Sequence, residues 1–426
     1  MNYLKMKIPA ILFALLAIPC VSVSGQFTID QCQEKSRQNY PQIKQFGLIE
    51  QSLEYNLSNA GKAYLPQVSF SAKATYQSDA IHLDVPMGQQ TMSIHQSKDQ
   101  YQAALDLSQT VWDGGVTSIQ KKVYRDNAAI ESQKLEVDLY VVRDRVNQLY
   151  FGCLLIEEQL KQNAVLESEL KTNYDKILSY MKNGVANQSD LDAVKLEQLN
   201  NSQRRTELQT ARKSYIEMLS AMIGIVLTDE VALEKPAATI LETDGATLKR
   251  PEVGLFDRQL YLIDHQSAMV KSGTLPKIGL FAQGGYGRPG LNMLQSDFSA
   301  FYIGGVKLSW NFGGLYTQKN SLNNLKISRE MVLNQKETFL FNNSLKVKQQ
   351  NNEIDKMRQL LKDDDEIIRL HTNLKKASEA KVANGVQSVT DLLREVNAES
   401  LAKQQKSLHE IQLLLNVYNL KYSTNN

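Results

Sequence analysis

The sequence predicts a mainly α-helical protein made of two copies of one unit, each with long helices and a β-hairpin. Three observations support this prediction. A helix-breaking segment occurs twice, as NGVANQSDL at 183–191 and as NGVQSVTDL at 384–392. Two very long stretches, 116–182 and 315–382, carry apolar residues at three- and four-residue steps, which is the period of a helix. Shorter segments before each stretch alternate apolar and polar residues, which is the period of a strand.

The order of parts is the same in both copies, as expected for an internal duplication. Pro41 and Pro251 each open a helix, predicted over 41–62 and 251–273, because proline is well tolerated at the first helical position. A Leu-Pro pair then ends each helix, since the residue before a proline avoids the α region.

Composition changes along the chain predict its division into domains. Residues 1–25 combine lysines, an apolar run and small residues, which is typical of a secretory signal peptide and too short for a membrane span. Cys20 within it is an alternative lipidation site. The structural repeats are predicted over 26–223 and 251–426, and the aperiodic segment 224–250 is interpreted as an equatorial linker between them.

Two strands are predicted in each copy, and the second strand ends at a Gly-Gly pair. In the first copy, this strand is predicted to place Leu105 and Leu107 on one face and Asp106 on the other. The first copy is longer than the second by about eleven residues in this region, and we assign them to a polar loop over 79–98.

The long helices are predicted to pair as coiled coils. At 1.5 Å per residue, the stretch 116–182 forms a rod of roughly 100 Å. Its narrow apolar seam predicts knobs-into-holes packing. The seam comprises Leu139, Val142, Val146, Leu149, Cys153, Ile156 and Leu160.

The duplicated NGV segments are predicted to turn the chain at the far end of each rod. Gly184 and Gly385 are expected to adopt positive φ, which glycine does at little cost. Ser189 and Thr390 are expected to cap the returning helices. Those helices are predicted over 189–223 and 388–421.

Four strands of about ten residues are long enough to span an outer membrane when tilted. Four strands cannot close a barrel, because the smallest transmembrane barrels have about eight. In lipid, an open sheet edge would leave backbone groups without partners. The sequence therefore predicts a transmembrane β-barrel that is completed by oligomerisation, with twelve strands from three chains.

This order of features resembles the TolC-like outer-membrane efflux proteins, the outer membrane factors of tripartite efflux and type I secretion systems. The resemblance covers essentially all of the mature chain and rests on the duplication, the Gly-Gly pairs at 114–115 and 313–314, and the NGV turns. It implies a homotrimer in the outer membrane of a Gram-negative cell, with a helical barrel that extends into the periplasm. It also implies a passive exit duct that docks onto a periplasmic adaptor (membrane fusion) protein of an RND- or ABC-type inner-membrane pump.

The resemblance places the functional residues at the helical tips. Turn chemistry alone does not require the pair Asp190 and Asp391, so these residues and Arg394 are predicted to form the pore gate. Arg394 stands where a second tip carboxylate can occur, so a double acidic ring is not expected. Adaptor docking is predicted for Gly184, Val185, Gly385 and Val386.

Other motifs carry no catalytic or cofactor prediction. Gly285, Gly287 and Gly290 have the dinucleotide-binding spacing, but no helix opens there, so we interpret GGYGRPG as a hairpin loop. The charged run 362–366 is interpreted as a solvated helix face, because consecutive carboxylates on a helix diverge. No metal-ligand spacing is evident among the histidines, which are His82, His95, His265, His371 and His409. We predict no enzyme, no cofactor and no metal.

Charge and cysteine content add little. The chain has 48 Lys and Arg against 46 Asp and Glu, so its net charge does not favour nucleic acid as a partner. Cys32 and Cys153 are interpreted as a disulfide or, more commonly, as two buried thiols.

The competing function is a periplasmic or surface coiled-coil scaffold or adhesin, which would use the helices and give the strands no role in lipid. The alternating strand pairs with aromatic ends favour the channel. Trp112 and Trp310 end two of the strands, where they are interpreted either as membrane-interface anchors or as packing at the strand–helix junction.

Overall fold

The computed structural model describes residues 26–88, 90–228, 231–237 and 248–425. The predicted signal peptide, with Cys20, lies outside the described residues, as does part of the predicted linker. The elements are α1 (Ile29–Asn39), α2 (Gln45–Gly61), β1 (Gln67–Tyr76), β2 (His82–Met87), β3 (Gln90–His95), β4 (Asp99–Trp112), α3 (Val116–Lys182), α4 (Gln188–Ile223), α5 (Pro251–Ser272), β5 (Lys277–Arg288), β6 (Ser299–Ser309), α6 (Gly313–Ala383) and α7 (Val389–Thr424).

The helices agree closely with the predicted ones. The four long helices α3, α4, α6 and α7 begin and end within three residues of their predicted limits. Pro251 opens α5 as predicted, whereas Pro41 opens a 3₁₀ turn and α2 follows it. The sequence predicts no bounds for α1. Thr28 begins it with a capping box, in which its hydroxyl accepts from the Gln31 amide and the Gln31 side chain accepts from the Thr28 amide.

Four strands form one antiparallel sheet in the order β1-β4-β5-β6. Its strands lead directly into the helices: α3 follows β4 and α6 follows β6. The two Gly-Gly pairs differ at these junctions. Gly114 and Gly115 both have positive φ and form a turn, whereas Gly313 and Gly314 lie in the first turn of α6.

The predicted polar loop over 79–98 is wrong, because β2 and β3 pair there as a second, two-stranded sheet. His82 pairs with His95, and Met87 pairs with Gln90 across a turn at Gly88, which has a positive φ. Alternation of apolar and polar residues over only a few positions is enough to form a strand. The polar residues of this segment are equally typical of a loop.

The main hydrophobic core lies midway along the helices, where α1 packs against α3 and α4. Tyr150 and Phe151 are among its fully buried side chains. The Tyr150 hydroxyl contacts the Phe27 and Glu234 carbonyl oxygens, each at 2.7 Å. Along the predicted seam, Leu139, Val142, Val146 and Cys153 are buried, and Leu149, Ile156 and Leu160 are half-buried.

Both described cysteines are free and buried. Burial raises the pKa of the Cys32 thiol to about 12, against a small opposing effect of Lys35. Burial, with the nearby Glu157 carboxylate, likewise raises the pKa of Cys153 to about 12. The structure therefore confirms the interpretation of Cys32 and Cys153 as two buried thiols rather than a disulfide.

Among the described residues, no helix combines the length and the apolar character required to cross a bilayer.

Candidate functional site

One face of the four-stranded sheet is apolar and exposed across all four strands. The register places Val68 opposite Leu107 and Phe70 opposite Leu105, and it continues this face through β5 to Tyr302 and Val306 of β6. Exposed fractions are 71% for Phe70, 52% for Leu105, 87% for Tyr302 and 69% for Val306. The structure therefore confirms that Leu105 and Leu107 share one face and that Asp106 lies on the other.

The opposite face is mainly polar around Asp106. Its Oδ1 accepts a hydrogen bond of 2.6 Å from Gln283 Nε2 on β5. Its Oδ2 accepts one of 3.3 Å from Ser71 Oγ on β1. Three strands are thus tied together by one carboxylate on the face that does not carry the apolar rows.

The glycine-rich motif belongs mainly to this sheet. Gly285 and Gly287 lie within β5, and only Gly290 lies beyond it, so the hairpin-loop interpretation was wrong for the first two. A Cβ on Gly285 would lie 2.7 Å from the Ala103 carbonyl oxygen and 2.6 Å from the Phe301 ring. Glycine is needed there for close contact between strands.

The outer parts of the described chain are covered by other elements on one side only. β1 and β6 are the edges of the sheet. No residue of α2 is buried, and none in α6 before Asn343 is. Large apolar side chains are exposed on both helices, including Leu48, Tyr55, Ile327, Met331 and Phe341. Exposed apolar side chains in this number along two helices are typical of an interaction surface.

Both NGV turns form the same helix-ending motif. Gly184 and Gly385 have φ of +76° and +70°, as predicted. The Val185 amide bonds to the Tyr180 carbonyl at 2.9 Å, and the Val386 amide bonds to the Lys381 carbonyl at 2.9 Å. The Gly184 amide bonds to the Met181 carbonyl at 3.1 Å, and the Gly385 amide bonds to the Val382 carbonyl at 3.0 Å. Together with the valine bonds, these make each turn a Schellman motif.

The helices after the turns begin at different residues from those predicted. Asn187 and Ser388 are the N-caps, each two residues before the predicted Ser189 and Thr390. The Asp190 carboxylate accepts from the Asn187 amide at 3.0 Å. Asp391 occupies the equivalent position, and Ser388 Oγ donates to its carboxylate at 2.7 Å. Turn chemistry therefore does use this aspartate pair, contrary to the sequence interpretation.

The two tips pack against each other. Their shared core combines α3, α4, α6 and α7 through Leu170, Ile177, Leu191, Val194, Val382, Val389, Leu392, Leu393 and Val396. Val185 and Val386 point away from it, with exposed fractions of 49% and 76%. Arg394 is also exposed, and its Nη1 lies 3.6 Å from Asp391 Oδ1.

No protein-family model and no curated protein matches this sequence. Solved structures do match. CusC has a TM-score of 0.70 at 13% identity over 93% of this chain and 91% of that chain. VceC from Vibrio cholerae has a TM-score of 0.65 at 11% identity over 93% and 94%. The open state of Neisseria gonorrhoeae MtrE has a TM-score of 0.66 at 12% identity over 93% and 89%. All three are TolC-family outer-membrane channels.

The chain therefore has the TolC-like fold. Within this fold, the alternating strands form the apolar-faced sheet, and the NGV turns form the end of the two helical hairpins that is farthest from the sheet. The two regions that sequence analysis singled out thus lie at opposite ends of the TolC-like chain.

A buried ionic network joins the two helical hairpins of the TolC-like fold, and sequence analysis missed it. Glu399 on α7 is 3% exposed and contacts Lys375 on α6, which lies 2.6 Å from Glu169 on α3. Thr372 and Lys403 also bond to Glu399, at 2.6 and 2.9 Å. Burial raises the pKa of Glu399, but the hydrogen bonds from Lys375, Thr372 and Lys403 outweigh it and lower the pKa to about 2.

The charged run 362–366 is also more than a solvated face. Asp364 is buried, and its Oδ2 lies 2.7 Å from Nδ1 of His409 on α7. Sequence spacing could not reveal this pair, because its members are 45 residues apart. In the described part of the chain, no group of three His, Cys, Asp or Glu side chains is arranged to hold a metal ion.

Proposed function

We propose that this protein is a passive outer-membrane channel, the trimeric exit duct of a tripartite efflux or type I secretion system. The observation that carries the proposal is a four-stranded sheet with two open edges and one exposed apolar face, on a TolC-like fold. In lipid, those edges must be paired. Three copies supply twelve strands, which close a barrel with Asp106 toward the lumen.

The helices support the same assembly. The exposed apolar faces of α2 and α6 are covered when neighbouring copies pack side by side and continue the helical barrel into the periplasm. The repeats 26–223 and 251–426, joined by the linker 224–250, then provide two helical hairpins per protomer. Surrounding lipid, two further copies, a periplasmic adaptor and an inner-membrane pump are the proposed partners.

The first test is the location and mass of the assembled protein. We expect it in the outer-membrane fraction and, in mild detergent, at three times the mass of one mature chain. Reconstituted into planar bilayers, the trimer should conduct ions in discrete steps. A soluble monomer would contradict the proposal and favour the scaffold or adhesin instead.

The tip is the proposed gate and docking surface. Asp391 of three copies would converge near the axis as an acidic ring, with Asp190 nearby. Arg394, already close to Asp391, would pair with it and keep the mouth narrow. The exposed Val185 and Val386, presented by the glycines before them, form an apolar surface that fits an adaptor.

The gate predicts a specific change in conductance. Asp391→Asn removes the charge and keeps a hydrogen-bonding side chain, so block by multivalent cations should weaken, since a ring of carboxylates attracts cations. Arg394→Ala removes the partner of Asp391, so conductance should rise. Single-channel recordings measure both effects.

Ser388→Ala is the matched control for these recordings. It removes the N-cap hydroxyl, at a cost of about 1 kcal/mol, and leaves the charge of Asp391 in place. Conductance and cation block should then match the wild type. If Asp391→Asn and Arg394→Ala also match the wild type while trimers stay intact, these residues are not part of the gate.

A further inference from the structure

The polar face of the four-stranded sheet carries two neighbouring lysines at the end nearest the long helices. Lys277 begins β5, and Lys307 lies two residues before the end of β6, which leads into α6. The register pairs Lys277 with Ser309 and Lys307 with Gly279. Since alternate residues of a strand share a face, the two lysines are diagonal neighbours, about 7–8 Å apart. We call this pair the basal lysine patch.

Among the strand residues of this face, no carboxylate lies close enough to neutralise the patch. Gly279, the partner of Lys307, pairs with Thr110 of β4, which is four residues from Asp106. At about 3.4 Å per residue, Asp106 is therefore about 13 Å away along the strands, beyond the screening length of about 10 Å in 0.1 M salt. Within the described residues, neither lysine has an ion-pair partner, and both side chains are exposed.

Positive charge predominates over the whole polar face. The register places Lys73 there as well, opposite Gln102 and toward the other end of the sheet. The remaining charged residues of the four strands, Asp99 and Arg288, lie on the apolar face and pair with each other at 3.5 Å. Each chain thus contributes three lysines to the polar face against one carboxylate, that of Asp106.

A hollow of about 750 Å³ lies on this end of the sheet, and both lysines line it. Its lining also includes Ser108, Thr110, Ser309 and Phe281. Phe281 pairs with Ser108, so it shares the polar face, and its ring would lie 3.2 Å from a Cβ on Gly305. Ammonium and hydroxyl groups bind the oxygens of carboxylates, sulfonates and phosphates, and an aromatic ring contacts the apolar part of an organic molecule.

We propose that the basal lysine patch makes the barrel an anion-selective passage, with organic anions that carry carboxylate, sulfonate or phosphate groups among its cargo. This selectivity rests on the proposed function, because three copies must turn their polar faces toward one lumen. Six lysines, two from each chain, then surround the lumen where it meets the helical barrel. Rings of lysine or arginine select anions in pores, and walls of low dielectric constant concentrate the counter-ion further.

The test is the reversal potential of the reconstituted trimer across a gradient of potassium chloride. At low salt, the double variant Lys277→Gln with Lys307→Gln should lower the chloride-to-potassium permeability ratio by at least about twofold relative to the wild type. Each single variant should lower it by less. The matched control is the double variant Lys277→Arg with Lys307→Arg, which keeps both charges and should keep the ratio. Near 1 M salt, where the screening length falls to about 3 Å, the difference between the wild type and the glutamine variant should shrink.

Block by tripolyphosphate, a small polyanion, is a second readout of the patch. It should reduce the conductance of the wild type and of the arginine variant, whereas the glutamine variant should need a higher concentration for the same block. An unchanged permeability ratio and unchanged block in a glutamine variant that still conducts would overturn this inference alone. A wild-type protein that forms no conducting trimer would overturn the proposed function and the anion selectivity with it.

Discussion

Leu107→Arg is expected to impair assembly of the protein in the outer membrane severely. Leu107 lies between Val68 and Ala282 on the apolar face that the proposed function assigns to lipid. An arginine on the lipid face of a β-barrel costs about 2–4 kcal/mol near the bilayer midplane. We therefore expect a large loss of membrane-inserted trimer, measured by fractionation and by mass in mild detergent.

Asp106→Asn is the matched control, one residue away on the other face. The asparagine oxygen can still accept the hydrogen bond that Gln283 donates to Asp106 at 2.6 Å. Trimer yield should stay close to that of the wild type. If both variants assembled equally well or equally poorly, the assignment of the two sheet faces to lipid and lumen would be wrong.

Glu399→Ala is expected to loosen the contact between the two helical hairpins. It leaves Lys375 and Lys403 without their shared carboxylate in a largely buried position. Removing one partner of a buried ion pair costs about 3–5 kcal/mol, and we expect the lower end because Glu169 still pairs with Lys375. Thermal unfolding followed by circular dichroism should begin at lower temperature, and proteases should cleave near the tip sooner.

Two variants make this result specific. Glu366→Gln breaks the solvent-exposed pair with Arg369 on α6 and should leave the unfolding curve unchanged. The double variant Glu399→Met with Lys375→Met replaces the most buried pair with apolar groups and should recover part of the lost stability, because the charges left behind, Glu169 and Lys403, are more exposed and can be solvated. A Glu399→Ala variant as stable as Glu366→Gln would show that the network does not hold the hairpins together.

The same network predicts a dependence on pH. The pKa of Glu399 is lowered from an ordinary 4.5 to about 2 in the folded chain. A lowered carboxyl pKa stabilises the folded state fully above pH 4.5, and this stabilisation is lost as the pH falls toward 2. The tip of the wild type should therefore become protease-sensitive in that range, whereas Glu399→Ala should show no such change.

Much of the fold followed from local patterns in the sequence. Residues within one or two helical turns of each other determine the long helices and the chain reversals at Gly184 and Gly385. Strand alternation alone places Leu105 and Asp106 on opposite faces of the sheet. The wrong N-cap predictions arose where two nearby residues were both suitable as caps. Asn187 was overlooked as an N-cap in favour of Ser189, since both residue types cap helices well.

The tertiary structure alone decided which distant residues meet. Sequence alternation did not show that His82 faces His95, because strand register is set by pairing across the hairpin. The Glu399 network and the Asp364–His409 pair depend on how neighbouring helices are rotated about their own axes when they pack. The narrow apolar seams of these polar helices do not specify that rotation. The sequence thus determined the elements and their order from local chemistry. Contacts between elements, and hence the polar clusters, required the packing of the whole chain.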